Sequence, residues 1–226
     1  VPDNPSLPEF LKPYLVRTPM SLDFMISALV ALLVTLDPVA LAPMFLSLTM
    51  GMTSSERNQV AFRASLIAFF ILAFFGLGGE AFMLILGISL PAFRIAGGLL
   101  LFWISFEMVF ERRTERKQHT AEIAITQDHI RNVAAFPLAI PLLAGPGTIT
   151  ATILLASRSN GDYAYSAQLL AILAVSVLCC FVVFLAAQKV SRFLGVTGNV
   201  VLSRLFGMVL AGMAVQFIID GVKAVL

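Results

Sequence analysis

The sequence predicts an all-α membrane protein of six transmembrane helices, arranged as two inverted three-helix repeats whose first and fourth helices break near the bilayer midplane. Three observations predict it. The 226 residues are 59% hydrophobic and only 12% charged, with a mean hydropathy of +0.93, a composition that would aggregate as a water-soluble domain. Several apolar stretches reach the ~20 residues that a helix needs to cross the hydrocarbon. Two landmarks recur at one constant spacing between the halves.

The apolar spans run from Phe24 to Leu48, Val60 to Leu86, Phe93 to Phe110, Val133 to Ala156, Gln168 to Ala187 and Leu205 to Val222. They divide the chain into a proline-rich tail (1–22), a first three-helix unit (23–110), a polar connection (111–131) and a second unit (132–226). Pro2, Pro5, Pro8, Pro13 and Pro19 make the tail irregular, and it holds no run apolar enough for a signal-peptide core. The connection carries Arg112, Arg113, Arg116, Lys117 and Arg131, with both histidines, His119 and His129. With six alternating spans, Arg57, Arg63, Arg112, Arg113, Arg116, Lys117, Arg131, Lys189, Arg192 and Arg204 share one face, against Lys12, Arg17, Arg94, Arg158 and Lys223 on the other. The positive-inside rule then puts the richer face in the cytoplasm and both termini outside. The net charge of +2, with basic residues at span ends, fits orientation in a lipid bilayer and gives no surface for nucleic acid.

Leu86-Gly87-Ile88-Ser89 aligns with Leu194-Gly195-Val196-Thr197, and Pro38 with Pro146, both at an offset of 108 residues. A two-residue slip then aligns Arg94-Ile95-Ala96-Gly97 with Arg204-Leu205-Phe206-Gly207. Because each unit has an odd number of spans, the two copies enter the membrane from opposite sides, related by an axis in its plane. The alternative is shared composition alone. The charges fit inversion: Glu80 precedes the first Leu-Gly pair, whereas Gln188, Lys189 and Arg192 precede the second.

The first span is interrupted by Leu36-Asp37-Pro38 and the fourth, at the aligned position, by Ala144-Gly145-Pro146-Gly147. Proline removes a donor and clashes with the preceding turn, so each helix is expected to break and restart with proline in its first turn. Backbone groups freed at membrane depth must face protein or a wet cavity, and the restarted N-termini are suited to a carboxylate. Asp37 is the strongest candidate, because an acid at mid-span costs ~2.5 to 3.5 kcal/mol. It is read either as a partner for a substrate ammonium or coupling proton, or as a helix cap, and the roles can coexist. Thr35, Thr148 and Thr150 offer hydroxyls nearby, although each has the competing use of bonding back to its own helix.

Arg94 and Arg204 are expected to anchor at the headgroups, and Glu80 and Glu107 to lie two turns or less from span ends, where water or an arginine reaches them. Gly97-Gly98, and Gly207 with Ala211, allow close helix packing. Cys179 and Cys180 are adjacent in an apolar run and read as small packing residues. No histidine accompanies a serine or cysteine within the spans, and no metal-ligand spacing occurs there, so catalysis, a metal site and a cofactor are not expected.

Leu36-Asp37-Pro38 with Pro43-Met44-Phe45-Leu46-Ser47-Leu48-Thr49, then Gly87-Ile88-Ser89-Leu90-Pro91-Ala92-Phe93-Arg94-Ile95-Ala96-Gly97-Gly98, then Pro141-Leu142-Leu143-Ala144-Gly145-Pro146-Gly147-Thr148-Ile149-Thr150 together resemble the MarC proteins. The resemblance runs from the first span to the last. It implies a bacterial or archaeal inner-membrane protein and, from some members, transport of small neutral amino acids such as glycine and alanine. It also implies a substrate site at Asp37, Pro38, Gly145, Pro146, Gly147 and Thr148. Small residues often follow the Asp-Pro pair in relatives, whereas Val39, Ala40 and Leu41 follow here, which bears on substrate size. The expected function is secondary transport of a zwitterion by alternating access, one half rocking against the other, coupled to protons or sodium. The alternatives are a scaffold or regulator acting through the 111–131 connection, or an exporter of another small metabolite. The substrate itself, its direction of movement and the oligomeric state are not fixed by the sequence.

Overall fold

The computed structural model describes residues 22–112, 133–158 and 163–226. The proline-rich tail and nearly all of the polar connection, with both histidines, lie outside them. The described residues are helical, with no strand. In chain order the helices are α1 (Leu22–Leu36), α2 (Pro38–Leu48), α3 (Ser54–Ile85), α4 (Leu90–Val109), α5 (Ala134–Leu143), α6 (Pro146–Ala156), α7 (Tyr163–Leu185) and α8 (Ala187–Lys223).

Five stretches are long and apolar enough to cross a bilayer: Leu22–Leu48, Ser54–Ile85, Leu90–Val109, Tyr163–Leu185 and Thr197–Lys223. A sixth exists if α5 and α6, bent by 57° at their junction, count as one span. This is a multi-pass integral membrane fold.

The helices extend beyond the apolar runs that announce them. α3 begins at Ser54, ahead of the expected Val60, because Thr53 and Glu56 form a capping box that adds polar turns. α7 starts at Tyr163, ahead of Gln168, and the last span at Thr197, ahead of Leu205. α4 opens at Leu90 because Ser89 caps Ala92 N–H and Pro91 sits in the first turn. α8 bends at Gly195, whose φ of 60° and ψ of −171° only glycine adopts readily.

The fourth span departs furthest from expectation. Its first part, α5, is no ordinary α-helix: Phe136 and Ile140, each preceding a proline, have extended backbone angles, and Ala144 N–H reaches back five residues to Ala139 O at 2.8 Å. Pro137 and Pro141 remove donors and push their predecessors out of the helical region, so the irregular stretch starts well before Ala144.

Helices from before and after the connection interleave. α4 packs most extensively on α8, α3 on α7 and α6, α2 on α8, and α1 on α7. Phe24 meets Tyr165 with ring centroids 4.1 Å apart, and Phe45 stacks on Phe184 at 4.8 Å. Small residues permit the closest approaches: a Cβ on Gly98 would lie 2.8 Å from Ala214 O, and one on Gly207 3.0 Å from Ser105 O. The core therefore runs continuously between the two groups of helices, flanked by faces rich in exposed Phe and Leu of the kind lipid covers.

Candidate functional site

Helical hydrogen bonding changes register at Asp37. Its N–H still donates to Leu33 O at 2.8 Å, but its φ of 56° is left-handed, and Pro38 opens the next helix without a donor. Aspartate tolerates this conformation because its short polar side chain bonds locally. Oδ1 accepts from Ala40 N–H at 3.4 Å, so the cap role is present, although the bond is long. The residue is buried, at 2% exposure.

At the second junction Gly145 precedes Pro146, and α6 starts with no side-chain cap. Gly147 and Thr148 therefore present first-turn N–H groups that lack intrahelical acceptors. Gly145 is required by space, since a Cβ there would lie 2.5 Å from Pro141 O, whereas one on Gly147 would meet the tip of the Ile104 side chain at 2.3 Å, which would have to shift.

The two junctions meet. Thr148 Oγ1 donates to Thr35 O at 3.3 Å, and both residues are buried. That carbonyl lies in the last turn of α1, where Pro38 has removed a donor from the helical ladder. Thr35's own hydroxyl bonds back to Ala31 O at 2.8 Å and Leu32 O at 3.1 Å, the local use weighed against a ligand role. Thr150 is buried, with its methyl carbon against Gly97. Thr35, Asp37, Pro38, Gly145, Gly147 and Thr148 are all buried, whereas Pro146 stands exposed. The combination of a carboxylate, a crossing hydroxyl and an uncapped helix N-terminus can hold a small group carrying both charges.

An open cleft is lined by Phe45, Leu46, Arg57, Asn58, Phe184 and Gln188. None of the predicted site residues lines it; it reaches α2 at Phe45, two turns beyond Asp37. Among the described residues no group of three or more His, Cys, Asp or Glu side chains gathers.

Two expectations need correction. Arg94 does not reach out to headgroups: it is half-buried and donates from Nε to Ser157 Oγ at 3.3 Å and from Nη2 to Ser157 O at 2.9 Å. The helix end it meets offers a better acceptor than water does. Of the water or arginine expected to reach Glu107, water is kept away, since the residue is 7% exposed where α8 packs over that part of α4. Sequence reasoning also missed Thr49 and Ser157, although they share the 108-residue offset and follow the two proline-initiated helices.

A multi-pass, all-helical fold with buried polar residues, among them Thr35, Asp37 and Thr148 at the two proline-marked junctions, defines an integral membrane protein. Residues 22–226 match the profile of the MarC family integral membrane proteins. The chain belongs to that family. It is 37% identical over 203 residues to a UPF0056 membrane protein of Aquifex aeolicus, covering 89% of this chain and 93% of the relative. It is 33% identical over 196 residues to YhcE of Escherichia coli (87% and 90%) and 36% identical over 209 residues to the inner membrane protein MarC of Salmonella typhimurium (88% and 93%). No solved structure matches.

Proposed function

We propose that this chain is a secondary transporter of small neutral amino acids, taking a glycine- or alanine-like zwitterion between α1 and α6. The observation that carries the reading is the bond from Thr148 to Thr35, which joins the two proline-marked junctions inside the protein. The uncapped N–H groups of Gly147 and Thr148 suit the substrate carboxylate, and Asp37 with the carbonyls ending α1 suits the ammonium.

The reading includes an inverted repeat with α1–α2 and α5–α6 as its broken spans. Support comes from α2 and α6, both 11 residues long and opened by Pro38 and Pro146. Gly87 and Gly195, also 108 residues apart, both have positive φ, 71° and 60°. The contacts are reciprocal as well: α2 lies on α8 as α6 lies on α4, and α1 on α7 as α5 on α3. Because these contacts interleave, the moving unit is a set of helices drawn from both repeats, in place of one half rocking as a block.

The proposed setting is a cytoplasmic membrane, as the name of the Salmonella relative has it for that protein, with both termini outside by charge count. Coupling to protons or sodium is proposed, and no cofactor is invoked. The test is uptake of labelled glycine and alanine into proteoliposomes, with and without a proton or sodium gradient, for the native chain and Asp37→Asn. Gradient-driven uptake lost in the variant supports the reading. No uptake across a broad amino-acid panel overturns it and favours a scaffold or another solute.

A further inference from the structure

Alternation of the spans puts Arg94, Ser157, Arg158 and Asp220 at one end of the bundle, and Thr49, Arg57, Glu111, Gln188 and Arg204 at the other. At the first end the helices are tied together. Ser157 is the C-terminal cap residue of α6, so the Arg94 guanidinium, with its bonds of 2.9 and 3.3 Å, sits on the negative end of that helix. Beside it Arg158 pairs with Asp220 at 3.7 Å and lies 4.7 Å from the centre of the Phe217 ring, while Gln216 donates to Asp220 at 2.7 Å. These contacts clasp the ends of α4, α6 and α8.

The repeat supplies the cap residue and the arginine again at the other end, where the two are not joined, whereas Met50 and Phe110 stand where Arg158 and Asp220 would recur. Thr49 stands 108 residues before Ser157 and is likewise the cap residue closing its helix, α2. Arg204 stands 110 residues after Arg94, the offset that follows the two-residue slip. Yet Arg204 pairs with Glu111 at 3.3 Å, both half-exposed, and among the described residues no arginine reaches Thr49. The Thr49 hydroxyl donates into its own helix, to Phe45 O at 2.7 Å, and its carbonyl accepts Met52 N–H at 3.1 Å, leaving a second lone pair. The open cleft lies at this end, on the same turn of α2.

We propose that Arg94 and Arg204 are alternate latches, one closed at a time. In this structure Arg94 holds the end of α6, while Arg204 rests on Glu111 and a cleft opens beside the end of α2 on the opposite side. In the other state Arg204 leaves Glu111 for the end of α2, and Arg94 releases Ser157. The exchange gives up the Ser157 bonds and the half-exposed Glu111 pair, a pair of little net worth, for new bonds at the end of α2; the two states then differ by a few hydrogen bonds and lie within a few kcal/mol, as alternating access requires. The inference rests on the transporter reading and its repeat.

The test is a pair of spin-label distances on the full chain in lipid nanodiscs, without added solute, with Cys179 and Cys180 replaced by alanine. Labels at Leu86 and Tyr163 report the Arg94 end, and labels at Met50 and Val201 the Arg204 end; all four positions are exposed. Native protein should show the first pair mainly short and the second mainly long. Arg94→Ala should move the ratio of the two populations about tenfold towards the reverse arrangement. Glu111→Gln, which frees Arg204, should move it the same way by less, and adding Arg204→Ala to Arg94→Ala should restore a native-like ratio. Arg94→Lys, a milder change that guards against misfolding, should fall between native and Arg94→Ala. Distances unmoved in Arg94→Ala, Arg94→Lys and Glu111→Gln, or one end opening without the other closing, overturn the latch. Because no solute enters this readout, exchange of distances without amino-acid uptake keeps the latch and rejects the substrate, and uptake with static distances does the reverse.

Discussion

The hydroxyl of Thr148 donates to the carbonyl of Thr35 at 3.3 Å, across 113 residues of sequence and inside the protein. Three consequences follow from the junctions this bond joins. The carbonyl lies in the last turn of α1, just before Pro38, and threonine reaches it from another helix.

Thr148→Val keeps the shape and removes a donor from a buried carbonyl. It should cost ~1 kcal/mol or somewhat more, seen as a lower Tm in detergent, and reduce uptake. Thr148→Ser should restore both. Equal Tm for all three proteins would show that the bond contributes nothing.

Asp37 has a cap role and a proposed charge role, and two substitutions separate them. Asparagine caps as well as aspartate and accepts positive φ, so Asp37→Asn should change stability by less than ~0.5 kcal/mol while abolishing uptake. Asp37→Ala loses the cap and strains the left-handed turn, and should cost roughly 1 to 3 kcal/mol as well. Thermal unfolding beside uptake decides the matter; retained uptake in Asp37→Asn would leave the residue a cap only.

A Cβ on Gly147 and one on Gly145 would meet different neighbours. Gly147→Ala meets the tip of Ile104 and should destabilise by roughly 1 to 3 kcal/mol, with recovery in Gly147→Ala/Ile104→Val, which removes the colliding methyl. Gly145→Ala meets the Pro141 carbonyl and should have no such rescue. A double-mutant cycle on Tm checks both.

The α4–α8 contact supplies its own control. Gly98→Ala brings a methyl to 2.8 Å from Ala214 O and should cost roughly 1 to 3 kcal/mol, whereas Gly212→Ala, with nothing within 4 Å, should be neutral or stabilising by up to ~1 kcal/mol. If both behave alike in thermal melts, the close approach of these helices is not what stabilises the bundle.

Membrane residence and five of the six expected spans were legible because they depend on local composition: ~20 apolar residues in a row have few other fates. The positions of Pro38 and Pro146 were legible for the same reason, since proline acts on its own turn. The irregular backbone at Phe136 and Ile140 was equally local, in Pro137 and Pro141, but a window that scores apolarity counts those prolines as ordinary members of a span.

The sequence by itself determined that this chain spans a membrane, that helices restart at Pro38 and Pro146, and which residues recur at 108 positions, because these follow from the residues and their spacing. Only the tertiary structure decided partners. Nothing in the order of residues says that Thr148 turns to Thr35 and Thr150 to Gly97, or that Arg94 reaches Ser157 while Arg204 stops at Glu111. Such choices depend on which helix faces which across a buried interface, and a hydroxyl or guanidinium takes the nearest acceptor that the packing leaves within ~3 Å.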